Sequence, residues 1–379
     1  MKSGALSTLF AALVVAGAPA TAQEAVFETE SGAIAVETVA VGLEHPWALA
    51  FLPDGRFLVT ERPGRMRIVA PDGSLSQPVE GVPEVYQRNQ GGLLDLALHP
   101  DFAGNGLVYF TFSHPVDGEA GTAVGRGALV ADAQPPRLED VEIVFTMNNK
   151  NRSGRHFGSR LVFADDGSIF FSIGDRGTME RAQDPLDHAG TVMRINADGS
   201  VPEDNPFLGN DAVDDHIWSW GHRNIQGMAV HPETRVVWTH EHGPRGGDEI
   251  NIPQAGENHG WPIITHGVHY SGATIGEGIT EREGLVSPLY HWTPSIAPSG
   301  MAFYEGSVFP QWQGDLLVGA LAGTALHRVG LDGQEVVADE RMLGEMGARI
   351  RDVRVGADGH VYLLTDAANG RLLRLSPAE

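Results

Sequence analysis

The chain has 379 residues, 48 of them glycine and 23 proline, so turns are frequent and long helices few. It contains no cysteine, which excludes disulfides, iron–sulfur clusters, Cys-ligated zinc and thiol nucleophiles. The formal net charge of −23 argues against a nucleic-acid partner and favours calcium, a hard cation that takes oxygen ligands.

Residues 1–22 read as a secretory signal peptide. Lys2 opens an apolar stretch over Ala5 to Ala16, and Ala20-Thr21-Ala22 is a small-residue cleavage signal. Cleavage before Gln23 predicts a periplasmic or secreted chain. No later stretch is apolar enough to span a membrane. Residues 23–379 show no internal linker and read as one domain.

One pattern recurs along that domain: an apolar run, a turn with Asp-Gly or Pro, and a second apolar run. It appears as ALAFLPDGRFLVTE (48–61), RLVFADDGSIFFSIGD (160–175), GMAVHPETRVVWTHE (227–241) and DVRVGADGHVYLLTD (352–366). Looser copies begin at Asp95 and Gly300. Each copy is a hairpin by its own chemistry. A glycine and a further apolar run follow each one, as in RMRIV after Gly64 and RLLRL after Gly370. Six repeats with at least three strands each predict an all-β, six-bladed β-propeller of mostly four-stranded antiparallel blades. The last repeat shows only three strands. The alternating segment from Ile34 to Val41 is expected to supply its fourth and so close the ring.

Within this frame several residues have chemical potential. Glu61, Asp175, Glu241 and Asp366 end the second runs of their hairpins; a turn carboxylate held by hydrogen bonds explains any one alone. His156 opens the hairpin that Asp175 closes, so the two meet at one rim if the strands pair. A carboxylate orienting an imidazole is a general-base arrangement, although a surface histidine is the plainer alternative. Trp218 to Gln226 reads as a polar loop in which Arg223, Asn224 and Gln226 offer donors to anionic or carbonyl oxygens. Arg349 and Arg351, two apart, share one face of a strand start. Such a pair needs an acid between them, with Asp352 a candidate, or a carboxylated ligand. The Gly-rich, acidic segment Glu241 to Glu249 suits calcium, or is a polar loop in which Glu249 caps a strand.

Taken together, HPWALAFLPDGRFLVTERPGR (45–65), NQGGLLDLALHPDF (89–102), HFGSRLVFADDGSIFFSIGDRG (156–177), WGHRNIQGMAVHP (220–232), EHGPRGGDEIN (241–251), NHGWP (258–262), APSGMAF (297–303) and RIRDV (349–353) resemble the pyrroloquinoline quinone (PQQ)-dependent glucose/sorbosone dehydrogenases, nearest the periplasmic aldose sugar dehydrogenase branch. The resemblance spans nearly the whole mature chain in family order. It implies a six-bladed propeller that oxidises the anomeric hydroxyl of aldoses to lactones by hydride transfer to PQQ. It implies His156 as general base, Asp175 as its orienting carboxylate and Arg223 as the residue polarising the quinone oxygen. Further cofactor contacts would come from Gln90, Asn224 and Gln226, with Arg349 and Arg351 clamping the PQQ carboxylates. Gly243 and Pro244 match carbonyls that hold the cofactor's calcium, and Glu249 with the His259 backbone matches a second calcium site. Electrons would pass to an external acceptor; oligomeric state is left open.

One position departs from the family. Ala322 stands where a cofactor-reaching lysine is common, which leaves Arg245 or Arg328 as candidate replacements. Two other readings fit the residues: a calcium-dependent propeller lactonase or hydrolase using Glu61, Asp175, Glu241 and Asp366, and a non-catalytic binding propeller.

Overall fold

The computed structural model describes residues 25–378, so the signal-peptide segment 1–22 lies outside the described residues. Six antiparallel sheets follow one another along the chain. The first has three strands, Pro46–Phe51, Phe57–Glu61 and Arg65–Val69. The next four have four strands each and begin at Leu93, Leu161, Ile225 and Pro298. The sixth is built from Ile350–Val355, Val361–Thr365 and Gly370–Pro377. Ile34–Leu43 hydrogen-bonds along that last strand, with Ile34 opposite Pro377 and Leu43 opposite Gly370. Ala25–Phe27 adds a short outer fifth strand. The one α-helix among the described residues is a single turn, Phe102–Asn105, as expected where helical periodicity is lacking.

The second strands Phe57–Glu61, Ile169–Ile173, Val237–Glu241, Leu316–Ala320 and Val361–Thr365 are buried at every position. Neighbouring sheets cover both of their faces. That is why they read as continuous apolar runs rather than alternating ones. The core is correspondingly divided into seams between adjacent sheets. Trp47, Leu58 and Phe112 belong to the seam of the first and second sheets, and Tyr109, Phe171 and Met193 to that of the second and third. Leu49, Phe57, Tyr362 and Leu364 pack the sixth sheet against the first, so the seams run through a full circle.

Trp218 to Trp220 departs from the expected polar loop. Ile217–Trp220 is the outer strand of the third sheet, and the chain crosses to the fourth over His222 to Asn224.

The innermost strands meet at an ion network. Arg160 Nη1 lies 3.2 Å from Asp95 and 2.9 Å from Asp352. Arg354 donates to both carboxylates at 2.9 Å, and Arg160 Nε donates to the Gln226 carbonyl at 2.6 Å. All three of Arg160, Asp95 and Asp352 are buried. Because each charge has opposite charges and backbone groups around it, burial is tolerated and the arrangement is directional. The Arg160 guanidinium lies 4.1 Å from the Trp47 ring, so this network supports the floor of the cavity above it.

Candidate active site

Two cavities meet near the axis. The first, of about 320 Å³, takes a lining residue from every sheet or the segment that leads into it: Trp47, Leu94, Gly158, Gln226, Ala297 and Arg351. The second, of about 390 Å³, is lined by His156, Asp175, Arg223, Pro244 and Trp261. Gln90 borders both, and its Oε1 accepts the His156 backbone N–H at 2.6 Å.

The first cavity is cationic in a strongly acidic protein. Arg62, Arg349 and Arg351 line it against a single carboxylate, Asp366. Arg349 lies 3.1 Å and Arg351 3.6 Å from Asp366 Oδ2. Asp366 is therefore the acid between the two arginines. Asp352 is not, because it is held by Arg160, Arg354 and the Leu49 N–H. Burial pulls the Arg351 guanidinium down to about 10; Asp366 opposes this, while Arg160, Arg349 and Arg62 add to it. Such under-compensated positive charge suits a ligand carrying several carboxylates. Asn224 and Gln226 also line this cavity, and Gln226 Oε1 accepts from Arg351 Nη1 at 3.2 Å.

Arg62 was not singled out by the sequence. It lies within the 45–65 motif just after Glu61 but was assigned no role there; its position only becomes meaningful once the first and sixth sheets are side by side. Ala322 is exposed and outside the cavity, although neighbouring Leu321 lines it. Arg245 and Arg328 do not line it either, and Arg328 is occupied by Asp315 and Glu340, each at 2.8 Å. The third cation comes instead from the first sheet.

In the second cavity, His156 Nδ1 lies 2.6 Å from Asp175 Oδ1. Asp175 also accepts the Gly177 N–H at 2.7 Å, and its other oxygen accepts Trp261 Nε1–H at 2.9 Å. A carboxylate so placed holds the ring proton on Nδ1 and leaves Nε2 to the cavity. Burial pushes the His156 imidazole below its usual pKa; the Asp175 hydrogen bond opposes this, and the Arg223 and Arg176 charges reinforce it. Burial would raise Asp175, but the His156 hydrogen bond and nearby cations hold it below the usual range. The pair is thus a neutral imidazole on an ionised carboxylate, able to take a proton at Nε2.

Arg223 donates from Nη1 to the carbonyls of His242 (2.9 Å) and Gly243 (2.7 Å). Its backbone N–H donates to Glu241 Oε2, as does that of Asn224. Glu241 also pairs with His222 Nδ1 at 2.9 Å. Glu241 is therefore the anchor of the Arg223–Asn224 turn.

Beside it lies a small cavity of about 10 Å³, the size of one water or ion, lined by Gly243, Glu241, Glu249 and His259 among others. Glu249 sits within the strand Asp248–Asn251 and is not a cap. Its hydrogen-bond partner is Asn251 Nδ2, at 3.4 Å. Burial, with Glu241 and Asp248 nearby, pushes its carboxyl well above the ordinary range. Both ring nitrogens of His259 and Oδ1 of Asn251 are buried without a hydrogen-bond partner, His259 Nε2 facing Glu257 at 3.6 Å. Two close carboxylates and an orphaned amide oxygen fit a hard cation.

The four hairpin-closing acids do not gather round one ion. Glu61 pairs with Arg65 and accepts the Glu44 N–H, Asp366 takes His45, Arg349 and Arg351, and Asp175 and Glu241 are held as described. Another histidine–carboxylate group, His188, Asp214 and His216, flanks the third sheet. The Asn148 N–H donates to His188 Nδ1 at 3.1 Å, so Nε2 carries the ring proton and faces Asp214 Oδ2 at 3.0 Å. No lone pair of His188 is left for a metal.

At the axis of the propeller, an arginine-lined cavity adjoins one that presents a histidine–carboxylate pair. The glucose/sorbosone dehydrogenase family profile matches residues 43–374, and the chain belongs to that family. It is 46% identical to the aldose sugar dehydrogenase YliI of Escherichia coli over 345 residues, covering 90% of this chain and 92% of that one. The apo crystal structure of the soluble aldose sugar dehydrogenase of E. coli superposes with a TM-score of 0.88, covering 91% of this chain and 100% of that one at 45% identity. The PQQ-bound aldose sugar dehydrogenase of Streptomyces coelicolor superposes with a TM-score of 0.75 at 28% identity, covering 95% and 99%.

Proposed function

We propose that this chain is a quinoprotein that oxidises the anomeric hydroxyl of aldose sugars to the lactone, with PQQ as cofactor and calcium as its metal. The observation that carries the reading is the junction at Gln90 of a cavity with three arginines against one carboxylate and a cavity presenting the His156–Asp175 pair.

In this reading Arg62, Arg349 and Arg351 hold the cofactor's carboxylates, and Gln90, Asn224 and Gln226 contact the rest of it. When bound, PQQ would supply the hydride acceptor, and calcium at the Pro244 carbonyl and at the Gly243 carbonyl, which Arg223 engages in this structure, would supply Lewis acidity. Glu249 and the His259 segment hold a second calcium. His156 Nε2 takes the proton of the anomeric hydroxyl as the hydride leaves the same carbon. Asp175 keeps the ring in the productive tautomer and balances the imidazolium that forms. Arg223 places positive charge where negative charge develops. Trp261 shields the pair from water on one side, its N–H on Asp175. The N-terminal segment supports export, with the mature chain starting at Gln23, and reduced cofactor passes its electrons to an external acceptor.

Reconstitution tests this. The purified full chain should reduce a dye in an aldose-dependent way only after addition of both PQQ and calcium. Absence of turnover across a broad aldose panel, with PQQ shown to be bound, overturns it. Lactone hydrolysis without PQQ would instead favour the hydrolase.

A further inference from the structure

Arg176 follows Asp175 directly, yet its side chain turns away from the cavity and is fully buried. It forms no ion pair within 4 Å among the described residues. Its guanidinium instead donates to a cluster of oxygens from one short segment. Nη1 donates to the Arg155 carbonyl. Nη2 donates to the Ser153 carbonyl at 2.6 Å, to Asn151 Oδ1 at 3.3 Å and to the Ala120 carbonyl at 3.4 Å. The flat face of the group lies 3.5 Å from the Phe157 ring centroid. Four of these five contacts fall on residues 151–157, which surround His156 in the chain.

A buried cation without a carboxylate is costly, and burial pulls this guanidinium down to about 9. A methionine or leucine would fill the space more simply. The segment it grips is irregular, running from Asn151 to Arg160 without a ladder of its own. His156 itself has φ 51°, in the left-handed region, and Ser159 has φ 86°. Left-handed side-chain-bearing residues persist where their surroundings over-determine them. Past His156 the stretch is held by Thr122 Oγ1 on the Phe157 carbonyl, by Asn224 Oδ1 on the Gly158 N–H and by the Ser172 carbonyl on the Ser159 N–H. Ahead of His156, the carbonyls of Ser153 and Arg155 accept from the Arg176 fork and that of Gly154 from the Gln90 N–H.

We propose that Arg176 is a positioning residue for His156: its planar fork clamps the Asn151–Arg155 segment so that the imidazole stands against Asp175 with Nε2 in the cavity. The proposal rests on the reading of His156 as the base. Arg176 touches neither substrate nor cofactor; it acts through the backbone. Its charge also opposes protonation of His156, in the same direction as Arg223.

The test uses the full chain with R176M and R176K. In the calcium- and PQQ-loaded enzyme, R176M should lower kcat at least 30-fold with the sugar KM within threefold and PQQ affinity within threefold of the parent. R176K keeps the charge but loses the fork, and should recover part of the loss, to within about tenfold of the parent. Hydrogen exchange on the apo chain gives a readout independent of turnover: amides of residues 152–157 should exchange at least tenfold faster in R176M, with the six sheets unchanged. If R176M does not fold, R176K carries both measurements. A kcat within threefold of the parent, or exchange accelerated equally in all sheets, overturns the clamp. Failure of the base assignment is recognised separately, by an unimpaired His156→Ala enzyme, while the exchange result still reports on the clamp.

Discussion

His156 Nδ1 and Asp175 Oδ1 stand 2.6 Å apart although 19 positions separate them in the chain. The hairpin of Leu161–Phe163 and Ile169–Ile173 runs out and back between them, so its two ends share one rim. Replacing His156 with alanine should abolish turnover and leave PQQ binding, followed by absorbance, within a few fold. Asp175→Asn should lower kcat by about 10²–10⁴, because an amide no longer fixes the Nδ1–H tautomer. An unchanged rate in either variant contradicts the assigned roles.

The pH profile follows from the direction of the His156 shift. Its imidazole is held below the usual 6.5, chiefly by burial, so the neutral, basic form persists below that pH. Protonation removes the lone pair, so kcat/KM should fall only as pH drops through the folded value. Initial rates should show an acid limb with its midpoint below 6.5. A midpoint above 6.5 means that the charge environment is not as described.

The arginine-lined cavity predicts an electrostatic signature. Arg351→Met and Arg62→Met should each weaken PQQ binding about 10–100-fold, the loss of one charge-assisted contact of about 1.5–3 kcal/mol. Each should also reduce the salt dependence of binding. Arg245→Gln, outside that cavity, should leave the affinity within twofold. Isothermal titration at two ionic strengths distinguishes these cases.

Glu249 carries a prediction of opposite sign in two conditions. Its raised carboxyl pKa means that the folded chain binds this proton more tightly than the unfolded one. Its contribution therefore falls as pH rises, and at pH 7 without metal the buried carboxylate destabilises. Glu249→Gln should raise the calcium-free stability by about 1 kcal/mol. With millimolar calcium the parent should gain stability and the variant should not. Thermal unfolding with and without chelator reads both.

Gly174 lies beneath the site. A Cβ there would meet the His156 carbonyl oxygen at 2.5 Å and Asn224 Oδ1 at 2.9 Å. Gly174→Ala should cost about 1–3 kcal/mol of stability by overpacking. It should also lower kcat more than sugar KM, since the displaced group is the backbone of His156. Steady-state kinetics together with urea unfolding check the pair of effects.

The repeat of apolar run, turn and apolar run was legible because each hairpin is a local object whose turn and strand chemistry sits within about 15 residues. The His156–Asp175 pair was legible for the same reason, as the two ends of one hairpin. Arg62, Arg176 and Asp366's place between Arg349 and Arg351 were not. Arg62 and Arg351 are neighbours only because the first sheet packs against the sixth, and Arg176 looks from sequence like one more solvated cation.

By itself, then, the sequence determined the number of sheets and the strand content, since short-range alternation and turn residues dictate these. Family membership was also readable from motifs in order along the chain. Tertiary structure alone decided which charges face one another. Circular packing places residues hundreds of positions apart around one axis, and burial there converts ordinary side chains into a positive cavity, a neutral imidazole and a carboxyl held well above its ordinary range.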